Sequence, residues 1–407
     1  MSAAEVQAKD GGGWALFREA VEQGTADACA PLLFGFTPDE GREYEAFLAY
    51  ARQHGVLLRE PIEHQLLDWA RTELPGEPPG SSALRARVAG VIAAAGGARF
   101  ACGRWCYYPW RRTVIHLLDR DRFWAVRTNR NRDKITAAEQ ALLGQKRIGV
   151  VGLSVGSAAA LVLAQEGLCG ELRIADFDTL ELSNLNRMRT SLLHIGESKA
   201  HVTARELAEI DPYLKVRVFP EGVTEDNLER FLLDGGRLDL VVEECDTLPM
   251  KLRVREAARG HGIPVVMDTN DRGLLDIERF DREPDRPLLH GLLGAYTAGS
   301  AQTLDAVARR ELFFAFFNGE DQLSPRLRES MRRIGKELVS FPQLASDVHL
   351  GAALVAHAVR EILLGRLVGS GRYRIDLHEL LIDIDDVSSR GPGRSGPSIS
   401  SKGPEKH

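Results

Sequence analysis

Residues 146–187 read KRIGVVGLSVGSAAALVLAQEGLCGELRIADFDTLELSNLNR. A short apolar run leads into glycines and small residues, an alanine- and leucine-rich segment follows, and a second apolar run ends at Asp176. This order predicts a strand, a tight turn, a helix and a second strand, the βαβ unit of nucleotide-binding folds. The stretch therefore predicts an α/β fold built around a nucleotide site.

Strand-like and helix-like segments alternate along the following hundred or so residues. We predict strands at 147–152, 171–176, 214–219, 239–243 and 263–267. We predict helices near 155–167, 197–209, 224–233 and 248–260, and a further strand at 272–281 that begins an antiparallel portion. Such alternation implies right-handed crossovers. The predicted class is a Rossmann-like α/β fold, with a mainly parallel sheet and helices on both of its faces.

Changes in composition divide the chain into three parts. Residues 1–125 form a predicted N-terminal α+β accessory module, helical to about residue 95 with a loop at 75–82 and then rich in short strands or hairpins. Residues 126–387 form the predicted nucleotide-binding domain, which ends in RYRIDLHELLIDIDD, a candidate for two short strands. The Gly-, Ser- and Pro-rich tail at 388–407 is predicted to be disordered.

The overall charge indicates no polyanionic partner. The 407-residue chain has a formal net charge of −6 and 27% charged residues, so we expect neither a nucleic-acid nor a membrane partner. Arginines interleave with aromatic residues near Trp105 and Trp110, which could indicate nucleic-acid contact, but we favour a small sheet with solvated arginines. The sequence shows no secretory signal and no apolar run of ~18 residues, so we expect a cytoplasmic protein.

Five scattered cysteines argue against both a disulfide framework and a structural zinc site. They are Cys29, Cys102, Cys106, Cys169 and Cys245. Only Cys102 and Cys106 form a close pair, whereas a structural zinc site usually takes four ligands. We therefore expect reduced thiols and no structural zinc.

The glycine turn and the end of the second strand supply candidate nucleotide contacts. Gly152 lets the backbone leave the first strand sharply, and Gly156 opens the helix whose N-terminal amides face a phosphate. Ser154 stands where a dinucleotide fingerprint has its second glycine, so the turn alone is a weak signal. Asp176 suits a carboxylate that accepts hydrogen bonds from ribose hydroxyls, with Asp178 as its competitor.

Four further residues suit a triphosphate better than a dinucleotide. Arg187 offers paired donors to phosphate oxygens, and Asn184 adds a neutral amide. Lys199 begins a helix after a G-E-S turn and could reach the outer phosphates. Asp246 follows a buried strand, where a carboxylate beside a triphosphate could bind Mg²⁺. Each is commonly a surface charge when taken singly, but their ordered occurrence favours a shared ATP and Mg²⁺ site.

These motifs resemble the ThiF, MoeB and HesA family of ubiquitin-activating-enzyme-like adenylyltransferases. VGLSVGS, DFDTLELSNLNR, GESK and ECDT fall in the order and spacing of that family, and the similarity spans about residues 125–285. The resemblance implies that Asp176 binds ribose, that Asn184, Arg187 and Lys199 bind phosphates, and that Asp246 binds magnesium.

The same resemblance implies a homodimer. RTNRNRDKI is similar to the family's arginine-rich segment, with Arg130 at its second arginine. In relatives that arginine reaches into the ATP site of the neighbouring subunit. The segment FPQLASDVHLGAALVAHAVREILLG resembles the family's C-terminal helix more loosely.

Two departures from the family narrow the expected chemistry. The zinc-binding C-x-x-C pairs are absent, and residues 268–300 contain no cysteine that could form a thioester. Cys245 lies beside Asp246, but a cysteine at the end of a strand is more often packed in the core. A module of this length before a zinc-less domain also resembles proteins in which such a unit is fused to a nitroreductase-like domain. Any redox partner is therefore expected as a separate polypeptide.

The favoured function is adenylation of a carboxylate. The acid could be the C-terminus of a small carrier protein or peptide, or a small metabolite; a related alternative is a dehydratase acting on a modified tRNA base. From other classes, an NAD-dependent oxidoreductase would leave Arg187, Lys199 and Asp246 without roles. A non-catalytic scaffold would not need the predicted phosphate-binding residues Asn184, Arg187 and Lys199. The sequence contains no motif that identifies the carboxylate substrate.

Overall fold

The computed structural model describes residues 13–24, 28–294 and 296–380, which form two sheets surrounded by helices. The strands are β1 (Leu32–Phe34), β2 (Leu57–Arg59), β3 (Arg104–Tyr108), β4 (Thr113–Leu117), β5 (Arg147–Val151), β6 (Glu171–Ala175), β7 (Lys215–Phe219), β8 (Leu240–Glu243), β9 (Val265–Thr269), β10 (Leu274–Glu278) and β11 (Gly371–Arg374). The helices are α1 (Gly13–Gln23), α2 (Gly41–Gln53), α3 (Ile62–Glu73), α4 (Ser82–Ala94), α5 (Arg120–Arg127), α6 (Ala137–Leu143), α7 (Gly156–Glu166), α8 (Lys199–Ile210), α9 (Leu228–Leu233), α10 (Leu248–Gly260), α11 (Ala298–Gln302), α12 (Ala306–Phe316), α13 (Pro325–Arg333), α14 (Ala345–Leu363) and α15 (Leu377–Leu380).

The larger sheet has seven strands in the order β11-β10-β9-β8-β5-β6-β7. The five from β9 to β7 run parallel, whereas β10 and β11 pair antiparallel at one edge. The chain leaves β5 towards β6 on one side and later returns through β8 on the other, so the crevice between β5 and β8 is the topological switch point. Open α/β sheets bind ligands at that position. The predicted Rossmann-like class and its antiparallel extension are confirmed.

Helices cover both faces of this sheet because its strands are apolar on both sides. On one face α7, α8 and α14 pack with the strands into a core that includes Ile148, Ile174 and Val355. On the other face α9 and α10 pack around Phe231 and Val254. This burial on both faces is typical of parallel sheets.

The smaller sheet lies in the N-terminal part of the chain and rests against α8. Its strands run β1-β3-β4-β2, with β2 parallel to β4 and the other pairs antiparallel. The Tyr108 hydroxyl donates to the Ala208 carbonyl (3.1 Å), and the Trp110 indole N–H donates to the Glu209 carboxylate (2.6 Å). The arginine-flanked aromatic residues of this segment therefore pack within the molecule. The domain boundary at residue 126 stays a prediction.

Three secondary-structure predictions were incomplete or wrong. Residues 120–127, expected within a strand-rich segment, are helical because Asp119 caps the N-terminus of α5 by accepting from Arg122 N–H (3.1 Å). Of the two strands predicted within residues 372–386, the first forms as β11, whereas residues 377–380 form α15, whose start is fixed by the Asp376 carboxylate accepting from His378 N–H (3.0 Å). The remainder of that segment lies outside the described residues. The three-residue strands β1 and β2 were missed, and the predicted disordered tail lies outside the described residues.

A membrane-crossing helix is absent from the described part of the chain, since no helix there combines sufficient length with sufficient apolar character.

Candidate functional site

The glycine turn lies at the switch point, and its shape is set by the neighbouring strand. Gly152 has a φ of +85°, and a Cβ there would lie 2.4 Å from the carbonyl oxygen of Glu244, just beyond β8. Gly156 opens α7, and a Cβ there would meet Val150 Cγ1 at 2.9 Å. Both positions therefore need glycine for close packing, and the first also for its left-handed backbone.

Asp176 holds the turn in place from the end of β6. Its carboxylate accepts from the backbone N–H of Leu153 (2.6 Å) and of Asp178 (2.8 Å), and the residue is only 8% exposed. Burial raises the pKa of Asp176, and the two N–H donors counteract that shift. Each carboxylate oxygen keeps a further lone pair, so the predicted contact with a ribose hydroxyl remains compatible with this role.

Asp178 and Lys199 form an ion pair next to the turn. Lys199 is the first residue of α8 and is 5% exposed, and its ammonium nitrogen lies 2.8 Å from Asp178 Oδ2. Its backbone N–H also donates to the Asp178 carbonyl (3.0 Å). The lysine is thus held against the loop that follows β6, and its binding to a phosphate stays a prediction.

Arg187 joins the turn to the loop that carries Asn184. Its guanidinium donates to Ser154 Oγ (3.1 Å), and its buried Nε has no partner among the described residues. Asn184 is 4% exposed and accepts from Glu181 N–H (3.0 Å), which fixes the short 3₁₀ turn before the arginine. Burial lowers the Arg187 pKa, while the negative charges of Asp246 and Glu181 raise it.

Asp246 is exposed on the rim of a large cavity that opens beyond the carboxyl ends of β8 and β9. The cavity has a volume of about 1460 Å³, and α12, α13 and α14 contribute to its walls. An exposed carboxylate near the partly buried Arg187 could hold a hydrated Mg²⁺ ion. In the described residues no three Asp, Glu, His or Cys side chains form a metal cluster.

The inner end of the cavity contains polar residues that the sequence reasoning missed. Asp268, in β9, is 4% exposed, and its backbone N–H donates to Glu244 Oε1 (3.0 Å). Burial raises the Asp268 pKa to about 7, and it raises the pKa of Glu244 as well. The available signal was the run VVMDTN, in which polar residues follow an apolar strand directly.

Cys245 also lines the cavity, and its thiol is a poor nucleophile in this environment. Burial raises its pKa well above the ordinary value, and the negative charge of Glu243 adds to that effect. The thiolate is the reactive form of cysteine. This agrees with the interpretation that Cys245 packs at a strand end, with its side chain against the core under α10.

Arg130 is separate from the residues above. It is exposed on a 3₁₀ turn (Asn129–Asn131) and does not line the cavity. Its predicted role in the site of a second subunit stays a prediction. The structure thus brings together the glycine turn, Asp176, Asp178, Asn184, Arg187 and Lys199, with Asp246 on the adjoining rim.

Parts of this chain are similar to known proteins. A family model described as "ThiF family" matches residues 128–272. Uncharacterized protein MT1398 of Mycobacterium tuberculosis is 48% identical over 294 residues, covering 71% of this chain and 40% of that protein. The sulfur carrier protein adenylyltransferase of Thermus thermophilus is 31% identical over 151 residues, covering 36% of this chain and 51% of that enzyme.

The crystal structure of an Escherichia coli tRNA N6-threonylcarbamoyladenosine dehydratase aligns with 60% of this chain and 96% of its own, at 18% identity and a TM-score of 0.43. The chain spans between 28% and 59% of the length of the first four curated relatives that it matches.

Proposed function

Because residues 128–272 form a ThiF family domain, we propose that this chain activates a carboxylate by ATP-dependent adenylation. The observation that carries the proposal is the position of Arg187. Its guanidinium donates to Ser154 in the glycine turn, and the negative charge of Asp246 on the cavity rim raises its pKa. A cation at this position would neutralise charge on the phosphates during transfer of an adenylyl group.

In the proposed reaction, a carboxylate oxygen of the substrate attacks the α-phosphorus of ATP. The bond from that phosphorus to the bridging oxygen breaks, and pyrophosphate leaves with the electron pair. No general base is needed, because the nucleophile is already an anion. Catalysis then consists of positioning and charge neutralisation.

The chain's own residues divide these tasks. The negative charge of the phosphates is neutralised by the amides at the start of α7 and by Arg187 and Lys199. Asn184 fixes the turn before Arg187 or adds a neutral phosphate contact. Asp176 orients the ribose. Mg²⁺ held at Asp246 would neutralise further phosphate charge. By analogy with the family, Arg130 would complete the site of a second copy in a homodimer.

The cavity beyond Asp246 is the proposed site of the carboxylate substrate. Its volume of about 1460 Å³ would admit a metabolite or the end of a peptide. The proposal covers two classes of substrate: a small carboxylic acid, and the C-terminus of a carrier protein or peptide.

Pyrophosphate exchange into ATP tests this function. The full chain, with Mg²⁺ and ATP, is assayed against a panel of amino acids, peptides and small carboxylic acids, and Arg187→Ala is the negative control. Acid-dependent exchange supports adenylation. Tight NAD binding without exchange would contradict it in favour of an oxidoreductase, and ATP binding without exchange across the panel would indicate a scaffold.

A further inference from the structure

The chain between β10 and α14 builds one wall of the cavity from accessible apolar side chains. Phe313 of α12 and Leu327 of α13 line this wall, together with Phe341 and Leu344 in the connection that leads to α14. The rings of Phe313 and Phe341 stack with their centroids 5.5 Å apart. Phe341 is 45% exposed and Leu344 is 61% exposed. Exposed apolar side chains grouped along a concave surface are typical of a ligand-binding wall.

This apolar wall adjoins the loop that carries Arg187. The side-chain amide of Asn186, the residue before Arg187, donates to the backbone carbonyl of Gln343 (2.7 Å). Gln343 in turn stands two positions after Phe341. An acid that reacts beside Arg187 therefore places the atoms next to its carboxylate close to the apolar wall.

Several charged side chains of the cavity are already paired, so they offer little to a ligand. The pairs are Lys251 with Glu243 (3.2 Å), Arg253 with Glu225, Arg272 with Asp376 (2.7 Å), and the carboxyl group of Asp268 with that of Glu244. A polar group of a ligand placed against these pairs would lose its water without gaining a free partner. Recognition in the cavity therefore depends mainly on apolar contact.

The size of the cavity and the chemistry of its wall favour a particular kind of body. The volume of about 1460 Å³ exceeds the ~300–1,000 Å³ of ordinary ligand pockets, so a long or bulky group fits. Every unit of a peptide would bring an N–H and a C=O that need partners, and the apolar side chains of the wall provide none. An aliphatic or aryl body needs no such partners.

We propose that the acid activated by this chain is a small carboxylic acid with a long apolar body, aliphatic or aryl, which binds against Phe313, Leu327, Phe341 and Leu344. The inference rests on the proposed adenylation, because that reaction places the carboxylate beside Arg187. Of the two substrate classes, it selects the small acid over the C-terminus of a carrier protein or peptide. Apolar contact supplies the affinity, and the carboxylate at the rim sets the orientation.

Two acids of equal length and charge test the proposal by calorimetry with the full chain in the absence of ATP. One is decanoate, and the other is its analogue in which three CH₂ groups are replaced by ether oxygens. We expect decanoate to bind at least about tenfold more tightly, which is the effect of burying roughly two CH₂ groups. Equal binding of the two acids, or no binding of decanoate, would overturn the proposal.

Two variants in the same exposed segment locate the binding site. Phe341→Ser removes a ring from the apolar wall and should lower the affinity for decanoate about tenfold. Val339→Ser is the matched control, because Val339 is fully exposed and does not line the cavity, and it should leave the affinity unchanged. Unfolding temperatures of both variants check the fold. Undiminished affinity in a folded Phe341→Ser protein would mean that the apolar body does not bind at this wall.

Pyrophosphate exchange with the same acids separates this inference from the proposed function. Decanoate binding that Phe341→Ser weakens, without exchange for any acid of the panel, would contradict adenylation and leave the apolar site standing. Exchange that is as efficient with the ether analogue or a hydrophilic peptide as with decanoate would contradict the apolar specificity alone.

Discussion

Arg187 connects the nucleotide half of the candidate site with its cavity half. It donates to Ser154 in the glycine turn, and the negative charge of Asp246 on the rim acts on its guanidinium. Its Nε is buried and has no hydrogen-bond partner among the described residues. A neighbouring arginine, Arg189, is exposed and takes no part in these contacts, which makes it a natural reference.

We expect Arg187→Ala to lower kcat/KM for ATP by about a hundredfold or more, since removing one preorganised charged donor costs a few kcal/mol in the transition state. The measurement is pyrophosphate exchange, with the melting temperature as a check on folding. Arg189→Ala serves as the control and should keep its activity. Full activity in Arg187→Ala would remove this arginine from the site.

His116 makes the N-terminal part of the chain sensitive to acid. Its ring is fully buried and stacks on Trp105 at 4.3 Å, and its Nδ1 has no partner among the described residues. Burial lowers the pKa of His116 from 6.5 to about 4, although a hydrogen bond to the Cys102 carbonyl partly opposes the shift. The His116 imidazole is therefore harder to protonate in the folded state than in the unfolded chain.

Because the folded pKa is depressed, the stability contributed by neutral His116 is present above pH 6.5 and is lost as the pH falls towards 4. The shift corresponds to about 3 kcal/mol at most. We expect urea midpoints to fall between pH 7 and 5 in the unmodified chain and to fall less in His116→Gln. An identical decline in both proteins would show that other groups are responsible; His64→Gln, at an exposed site, is the control.

Among individual residues, the sequence predicted the glycine turn and the charged residues around it, because their spacing along the chain reflects local geometry. It did not predict Asp268 or Asn270 as cavity residues. Their surroundings come from the end of β8, from α10 and from α14, which are distant in sequence.

Among the elements, α8 links the two sheets. Its first residue, Lys199, holds the loop after β6, and its C-terminal half receives the small sheet through Ala208 and Glu209. Between these contacts lies Glu206, a partly buried carboxyl. Burial raises the pKa of Glu206 to about 7, and Glu209 adds to the shift while Arg189 opposes it.

A carboxyl whose folded pKa is raised stabilises the fold fully below its unfolded pKa and loses that contribution as the pH rises through about 7. We therefore expect Glu206→Gln to be more stable than the unmodified chain at pH 8 and about equal to it near pH 4, as measured by thermal unfolding. A constant difference across this range would contradict the raised pKa.

Prediction of elements succeeded where strands are buried on both faces. The strands β5, β6 and β8 end next to Gly152, Asp176 and Glu244, so their boundaries could be predicted from the sequence. It failed for β1 and β2, which are three residues long and exist through pairing with β3 and β4. It also failed at α5, where one capping aspartate outweighs a β-prone composition.

For the whole molecule, the proposed homodimer can be tested by mixing two variant subunits. If Arg130 completes the site of a second copy, Arg130→Ala and Asp246→Ala are each inactive alone, whereas mixed dimers regain one intact site. We expect about a quarter of full activity per chain when equal amounts are unfolded and refolded together, as random pairing gives half the molecules as mixed dimers with one working site each.

Formation of mixed dimers is checked with differently tagged chains. Folded mixed dimers that remain inactive would mean that Arg130 acts within its own subunit or has no role in the reaction. A purely monomeric protein would contradict the shared site as well.

The tight approach of Gly152 to the chain after β8 bears on how such a protein would evolve. No side chain fits between these two strands, so selection for folding alone suffices to preserve the glycine. A descendant that had abandoned catalysis would keep it, while Arg187, which no core contact requires, would be free to drift. In homologues that have lost the activity, Arg187 would therefore be substituted while Gly152 is retained.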